Sequence, residues 1–185
     1  MAVRLNKNYL CIGRRGTGKT TIAKAIAAAT GRKICVIDTD FHPSYAKDFT
    51  LYKIADLPKW KSGNIRLITS NPEHAMKELN THCTNAFIIC EDAAKYVNAN
   101  VQKPVKAFII DHRKRDFDIL LMFHFLADVP PYVAKQYDSM IIFKTGDNLE
   151  TKQPKFANWH KILKVAKEVN AHKEFNFCIK IAIDE

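Results

Sequence analysis

Gly13-Arg14-Arg15-Gly16-Thr17-Gly18-Lys19-Thr20 is the stretch whose reading decides the fold. It meets the pattern G-x-x-x-x-G-K-[ST] at every fixed position. Before it, Tyr9-Leu10-Cys11-Ile12 is short, apolar and strand-like; after it, Thr21 to Ala29 is rich in helix formers and is closed by Gly31. Strand, glycine loop and helix in that order make an anion site. Backbone N–H groups of Gly16, Gly18 and Lys19 turn towards phosphate oxygens at a helix N-terminus, where the dipole favours negative charge. Lys19 is expected to reach the outer phosphates and the Thr20 hydroxyl to ligate Mg2+, with Gly13, Arg14, Arg15, Thr17 and Thr21 completing the contacts. The stretch predicts a protein that binds a nucleoside triphosphate, with ATP and Mg2+ as its ligands.

Bulk properties bound the rest. A length of 185 residues predicts one domain over 1–185, large enough to bury a core. No apolar run approaches the length of a membrane span, and the longest, Ile119 to Ala127, holds a histidine. The N-terminus lacks the apolar core of a signal peptide. Five cysteines (11, 35, 83, 90 and 178) form no C-x-x-C pair, and four of them lie in apolar runs, which predicts free thiols in a reducing, cytoplasmic compartment. The net charge is +10, and eight Lys or Arg residues precede Asp38 with no acid among them. Part of that charge serves nucleotide phosphates; the rest is either a solvated basic surface or a face for a polyanion such as nucleic acid.

Along the chain, Lys33 to Asp38 reads as a second strand ending in Asp38-Thr39-Asp40-Phe41-His42-Pro43. Carboxylates at the C-terminal end of an α/β strand lie where such sheets place ligands. The same letters also build a plain turn. Residues 45–61 are expected to form a short amphipathic helix and 64–69 a strand at an edge. Ser70-Asn71-Pro72-Glu73 signals a helix start running to about His82. A helix after Pro104 leads to Asp111-His112-Arg113-Lys114-Arg115, and 118–124 is apolar enough for a central strand. Val129-Pro130-Pro131 opens a helix to about Tyr137, followed by a strand over 139–144. A helix from Pro154 carries Trp159, Ile162, Leu163, Ala166 and Val169 at helical spacing among lysines, and 175–183 alternates as a last strand.

Two landmarks join the loop. Ala86-Phe87-Ile88-Ile89-Cys90-Glu91-Asp92 fits a Walker B strand, in which one carboxylate holds Mg2+ and its neighbour polarises the attacking water. The order is Glu then Asp, the reverse of the usual one, so the two roles are not divided between Glu91 and Asp92 by sequence. Phe123-His124 ends the central strand, where a polar tip senses the γ-phosphate and where an apolar run also accommodates a core histidine.

The ordered set of Walker A, strand-Asp, Walker B, basic segment, polar-tipped strand, helix and strand resembles the HerA–FtsK group of P-loop ATPases. That group includes zonula-occludens-toxin-like proteins and viral genome-packaging ATPases. Glu91-Asp92-Ala93, His112-Arg113-Lys114 with Phe117-Asp118-Ile119-Leu120, and the Phe123-His124 tip carry the resemblance over residues 9–146, leaving 149–185 as a C-terminal helix-strand extension. It implies a three-layer α/β fold of the ASCE/RecA-like type with a mainly parallel sheet. It also implies ATP hydrolysis coupled to DNA translocation, as in genome packaging or extrusion for a phage or mobile element, by a homo-oligomeric ring on double-stranded DNA. By position, Lys19, Glu91, Asp92 and His124 would be catalytic, Thr20, Glu91 and Asp92 would bind metal, and Arg113 (or Arg115) would be an arginine finger to a neighbouring subunit. The alternative is a small-molecule kinase, of nucleoside or nucleotide type, with Asp38 and Asp40 beside the acceptor.

Overall fold

The computed structural model describes residues 6–98, 103–151 and 153–182. Eight strands form one sheet in the order β3-β4-β2-β5-β6-β1-β7-β8. They are β1 (Asn8–Ile12), β2 (Lys33–Asp38), β3 (Thr50–Leu51), β4 (Asn64–Ile68), β5 (Ala86–Cys90), β6 (Phe117–Phe123), β7 (Ser139–Ile142) and β8 (Ile179–Ala182). Every pairing is parallel except β7 with β8. The helices are α1 (Lys19–Ala29), α2 (Pro72–His82), α3 (Lys103–Asp111), α4 (Pro131–Ala134) and α5 (Trp159–Ala171).

Alternation within strands builds a core on each face. Leu10 and Ile12 of β1, Ile88 of β5 and Leu121 of β6 pack with Ala75, Met76 and Leu79 of α2 and Val105, Phe108 and Ile109 of α3. Tyr9 and Cys11, with Val36, Phe87, Ile89, Leu120 and Met122, pack on the other face with Ala23 and Ala27 of α1. Helices on both faces of a parallel sheet give the three-layer α/β arrangement, and account for strands buried at every position in β1, β5 and β6. All five cysteines are free thiols.

The structure departs from the sequence-based expectations at several places. Residues 45–61 do not form a helix: 3-10 turns at Pro43–Tyr45 and Ile54–Lys59 flank the two-residue strand β3, which takes the edge that 64–69 was expected to occupy. Pro58 inside the second turn removes one backbone donor from any longer helix. The helix opening at Pro131 ends at Ala134. The last strand begins at Ile179, so Phe175 lies in a loop, and its expected end at Ile183 lies outside the described residues.

Asp38 ends β2 fully buried, and its carboxylate is consumed locally. Oδ1 accepts from the Asp40 N–H at 2.9 Å; Oδ2 accepts from the His42 N–H at 3.0 Å and from Arg66 Nε at 2.7 Å. Arg66 sits opposite Val36 in the parallel register, so its side chain runs along β2 to reach the strand end. Asp38 borders the cavity at the strand ends, and with its carboxylate held by these donors it also anchors the loop after β2. Breaking a buried pair leaves one uncompensated charge. Asp38→Asn is accordingly expected to lose about 3–5 kcal/mol in urea unfolding. A loss below about 1 kcal/mol would show that the pair is not structural.

Candidate nucleotide site

The C-terminal ends of β1, β2, β5 and β6 open into one cavity of about 680 Å3, lined among others by Arg15, Gly16, Gly18, Lys19, Thr20, Thr21, Asp40, Glu91, Asp92 and His124. Gly16 and Gly18 take φ of 80° and 99°, the left-handed region that lets successive N–H groups turn inward. The other three loop residues expected to contact the ligand do not line this cavity. Gly13 continues the strand and donates to the Phe123 carbonyl at 3.1 Å. Arg14 turns its guanidinium to Gly146, and the Thr17 hydroxyl donates back to the Arg14 carbonyl at 2.8 Å. A side chain on Gly13 would start 2.6 Å from Phe143 Cβ, so close packing of β1 on the exit from β7 requires glycine there.

Lys19 begins α1 with its ammonium folded into the loop, donating to the carbonyls of Gly13 at 2.6 Å and Arg14 at 2.9 Å. Burial pushes its pKa down, partly offset by Cys11, Glu91 and Asp92. One residue on, the Thr20 hydroxyl donates to Glu91 Oε1 at 3.0 Å. Tyr45, buried in the turn after β2, donates its hydroxyl to the same oxygen. Burial raises the Glu91 pKa, and these two hydrogen bonds pull against that rise. The Tyr45 hydroxyl is pushed up in turn, by burial first and then by the Glu91 charge.

Asp92 leaves the strand in a left-handed conformation with φ 42°. That turn separates the two neighbouring carboxylates. Glu91 faces Thr20 and Tyr45, whereas Asp92 Oδ1 lies 3.0 Å from His124 Nε2 and Oδ2 lies 3.6 Å from Lys95 Nζ. His124 Nδ1 lies 3.4 Å from Lys19 Nζ and 3.3 Å from the Gly13 carbonyl. A ring nitrogen Nε2 that carries a proton donates to Asp92, while Nδ1 faces both the Lys19 ammonium and the Gly13 carbonyl. His124 thus joins the phosphate loop to the acid pair. Lys95 also pairs with Asp40, which occupies the second carboxylate of the kinase alternative.

Arg113 is not brought to this cluster. It lies in the 3-10 turn before β6, whose opposite end carries His124, and it ion-pairs at 2.9 Å with Asp138 of its own chain. Tyr45 and Lys95 belong to the site without having been singled out from sequence. Tyr45 reaches Glu91 across 46 positions, and no local pattern marks such a contact.

A Walker-type loop, an acid pair one strand removed and a polar strand tip between them share one parallel sheet edge. The chain has the fold of a P-loop NTPase. A model of the ATPase family associated with various cellular activities (AAA) matches residues 9–49, the first strand, the loop, α1 and β2. In structure, the genome packaging NTPase B204 from Sulfolobus turreted icosahedral virus 2 in complex with ATP-gammaS superposes with a TM-score of 0.72 at 16% identity, over 97% of this chain and 93% of that one. B204 described as the DNA-packaging ATPase of Sulfolobus turreted icosahedral virus gives 0.67 at 15% identity, over 96% and 93%. The N-terminal domain of zonular occludens toxin from Neisseria meningitidis gives 0.50 at 14% identity, over 77% and 79%. No curated protein matches the chain in sequence. The likeness to B204 reaches past residue 146 into α5 and β8, beyond the stretch over which sequence alone shows a resemblance.

Tyr45→Phe removes one of the two side-chain donors to a buried carboxylate and should lower stability by about 1–3 kcal/mol. Chemical denaturation checks this; a change under about 0.5 kcal/mol would mean that Thr20 alone satisfies Glu91.

Proposed function

We propose that this chain hydrolyses ATP and couples the reaction to movement of double-stranded DNA, as a homo-oligomeric genome-packaging motor. The observation that carries the reading is the convergence of Lys19, Thr20–Glu91 and Asp92–His124 on one cavity at the end of β1, β5 and β6. Support for the packaging role comes from the fold shared with viral packaging NTPases, and support for a polyanionic partner from the net charge of +10.

In this reading the backbone N–H groups of Gly16 and Gly18 hold the phosphates and Lys19 neutralises charge on the outer ones. The Thr20 hydroxyl and Glu91 carboxylate fit Mg2+, which takes oxygen ligands and commonly binds through one or two protein groups plus phosphates. Among the described residues no cluster of three or more His, Cys, Asp or Glu side chains forms a self-sufficient metal cage, in keeping with a cation shared with the nucleotide. Bound there, Mg2+ supplies charge neutralisation at the phosphate oxygens. Asp92, turned away from Glu91, orients a water and takes its proton as the water oxygen bonds to the γ-phosphorus and the bond to the ADP oxygen breaks. His124 holds the Asp92 carboxylate at one ring nitrogen and meets Lys19 at the other. The reversed acid order thereby receives a division of labour, with Glu91 to the metal and Asp92 to the water.

Arg113 enters only as a group offered to a neighbouring copy, because it stands at the opposite end of β6 from its own site. Asp38 and Asp40 are both engaged, by Arg66 and Lys95, which weighs against a kinase reading.

Lys19→Ala should abolish nucleotide binding and turnover. Glu91→Gln and Asp92→Asn should retain binding of ATP but lower turnover by about 10²-fold or more. Unchanged turnover in both would refute these roles. ATP hydrolysis measured with and without long double-stranded DNA, alongside mass by light scattering, tests the motor: stimulation by DNA and an oligomeric mass are expected. A DNA-indifferent monomer would overturn it.

A further inference from the structure

The phosphate loop has two flanks. On the flank of β6, β5 and β2 lie the carboxylates Glu91, Asp92 and Asp40. On the other flank, beyond β7, the loop after α5 folds back against the glycines. The Phe175 ring comes within 3.9 Å of the point where a side chain on Gly16 would begin, and Asn176 lies equally near that point on Gly18. Phe143 at the exit of β7 stands 3.6 Å from the same Gly18 position.

This loop is pinned rather than loose. Asn170 Oδ1 accepts from the Thr145 N–H at 2.9 Å and its amide donates to the Thr145 carbonyl at 3.2 Å. Lys144 Nζ donates to the His172 carbonyl, and the His172 ring stacks on Phe177 with centroids 3.8 Å apart. These bonds hold the backbone before Phe175, and β8 holds it from Ile179 onward. Yet its ring remains half-exposed at the loop's edge, whereas Phe143, which meets the same glycine loop, is buried.

A triphosphate has chemically distinct ends. Its terminal phosphate and cation belong on the acidic flank, so the ester end bearing the nucleoside leaves towards the flank of β7 and the loop after α5, whose acids among the described residues include Asp147 and the exposed Glu174. Asp147, the acid at the exit from β7, is spent on the N–H groups of Leu126 at 2.8 Å and Ala127 at 3.0 Å and on the Thr145 hydroxyl. An aromatic face with a neighbouring amide is what remains there, and it suits a planar base. We propose that Phe175 is the stacking platform for the nucleobase and that Asn176 meets the base edge, making the loop after α5 a specificity-determining part of the site. The inference rests on the nucleotide-binding reading and adds where the base lies.

The test compares Mg·ATP-gammaS with Mg·inorganic triphosphate by calorimetry on the full chain. Base–aromatic stacking corresponds to about a 5- to 150-fold change in affinity. Phe175→Ala should weaken ATP-gammaS by a factor in that range, leave inorganic triphosphate within about twofold, and be rescued by Phe175→Tyr. Equal loss for both ligands would show that Phe175 shapes the phosphate loop instead. No loss for either would place the base elsewhere. Absence of binding of either ligand to the unsubstituted chain would remove the nucleotide reading itself, a failure visible before any substitution.

Discussion

Everything in the site depends on β6 lying between the strand that ends in the phosphate loop and the strand that ends in the acids. In that register Phe123 stands opposite Ile12, and Leu121 stands opposite Cys90. The residue after β6 is therefore level with Gly13 on one side and one step beyond Asp92 on the other. His124 reaches Lys19 and Asp92 together only at that height. A one-residue slip would send the histidine to the opposite face and separate the two halves of the site. The all-buried character of β6 makes such a slip costly, since each of its apolar side chains would leave its layer of the core.

Burial then sets the electrostatics. Lys19 is pushed towards its neutral form and Glu91 towards its protonated form, each by loss of water around the charge. The chain offsets this in part with its own dipoles: two carbonyls on the ammonium and two hydroxyls on the carboxylate. A polyanion with a divalent cation complements both groups at once. The site is thus biased towards a ligand carrying both charges, which is a statement about chemistry that the fold alone does not make.

How much of this is legible in the sequence follows the distance over which each contact acts. The phosphate loop is contiguous, and its glycines, lysine and flanking periodicities are local signals, so its geometry follows from the letters. The near-continuous apolar strands β1, β5 and β6 are legible for the same reason, and so is the helix capped at Asn71, whose side chain accepts from the His74 N–H as the Asn-Pro-Glu pattern implies. The segment 45–61 misleads because Leu51, Ile54 and Leu57 mimic helical spacing while Pro58 and tertiary packing break it into turns. Asp38 reads as a free acid until Arg66 is placed beside it by strand pairing, and Tyr45 carries no signal at all until the turn after β2 brings it under Glu91. The reversed Glu91-Asp92 order is visible in sequence, but its consequence depends on one left-handed residue that no residue-type preference marks.

The C-terminal portion changes meaning most between the two levels. As sequence, 149–185 looks like an appendage with a lysine-rich helix. In the structure β8 pairs antiparallel with β7, and α5 clasps the exit from β7 through Asn170 and His172. That exit carries Phe143 against Gly13 and supplies the Lys144 carbonyl to the Arg14 N–H at 2.8 Å. The phosphate loop is consequently braced on both flanks, by β6 and the acids on one and by β7 with its C-terminal support on the other. Bracing of this kind fixes the N–H groups before a ligand arrives, so less ordering entropy opposes binding. A short glycine loop left unsupported would lose that advantage, which explains why a segment without a motif of its own is integral to the site.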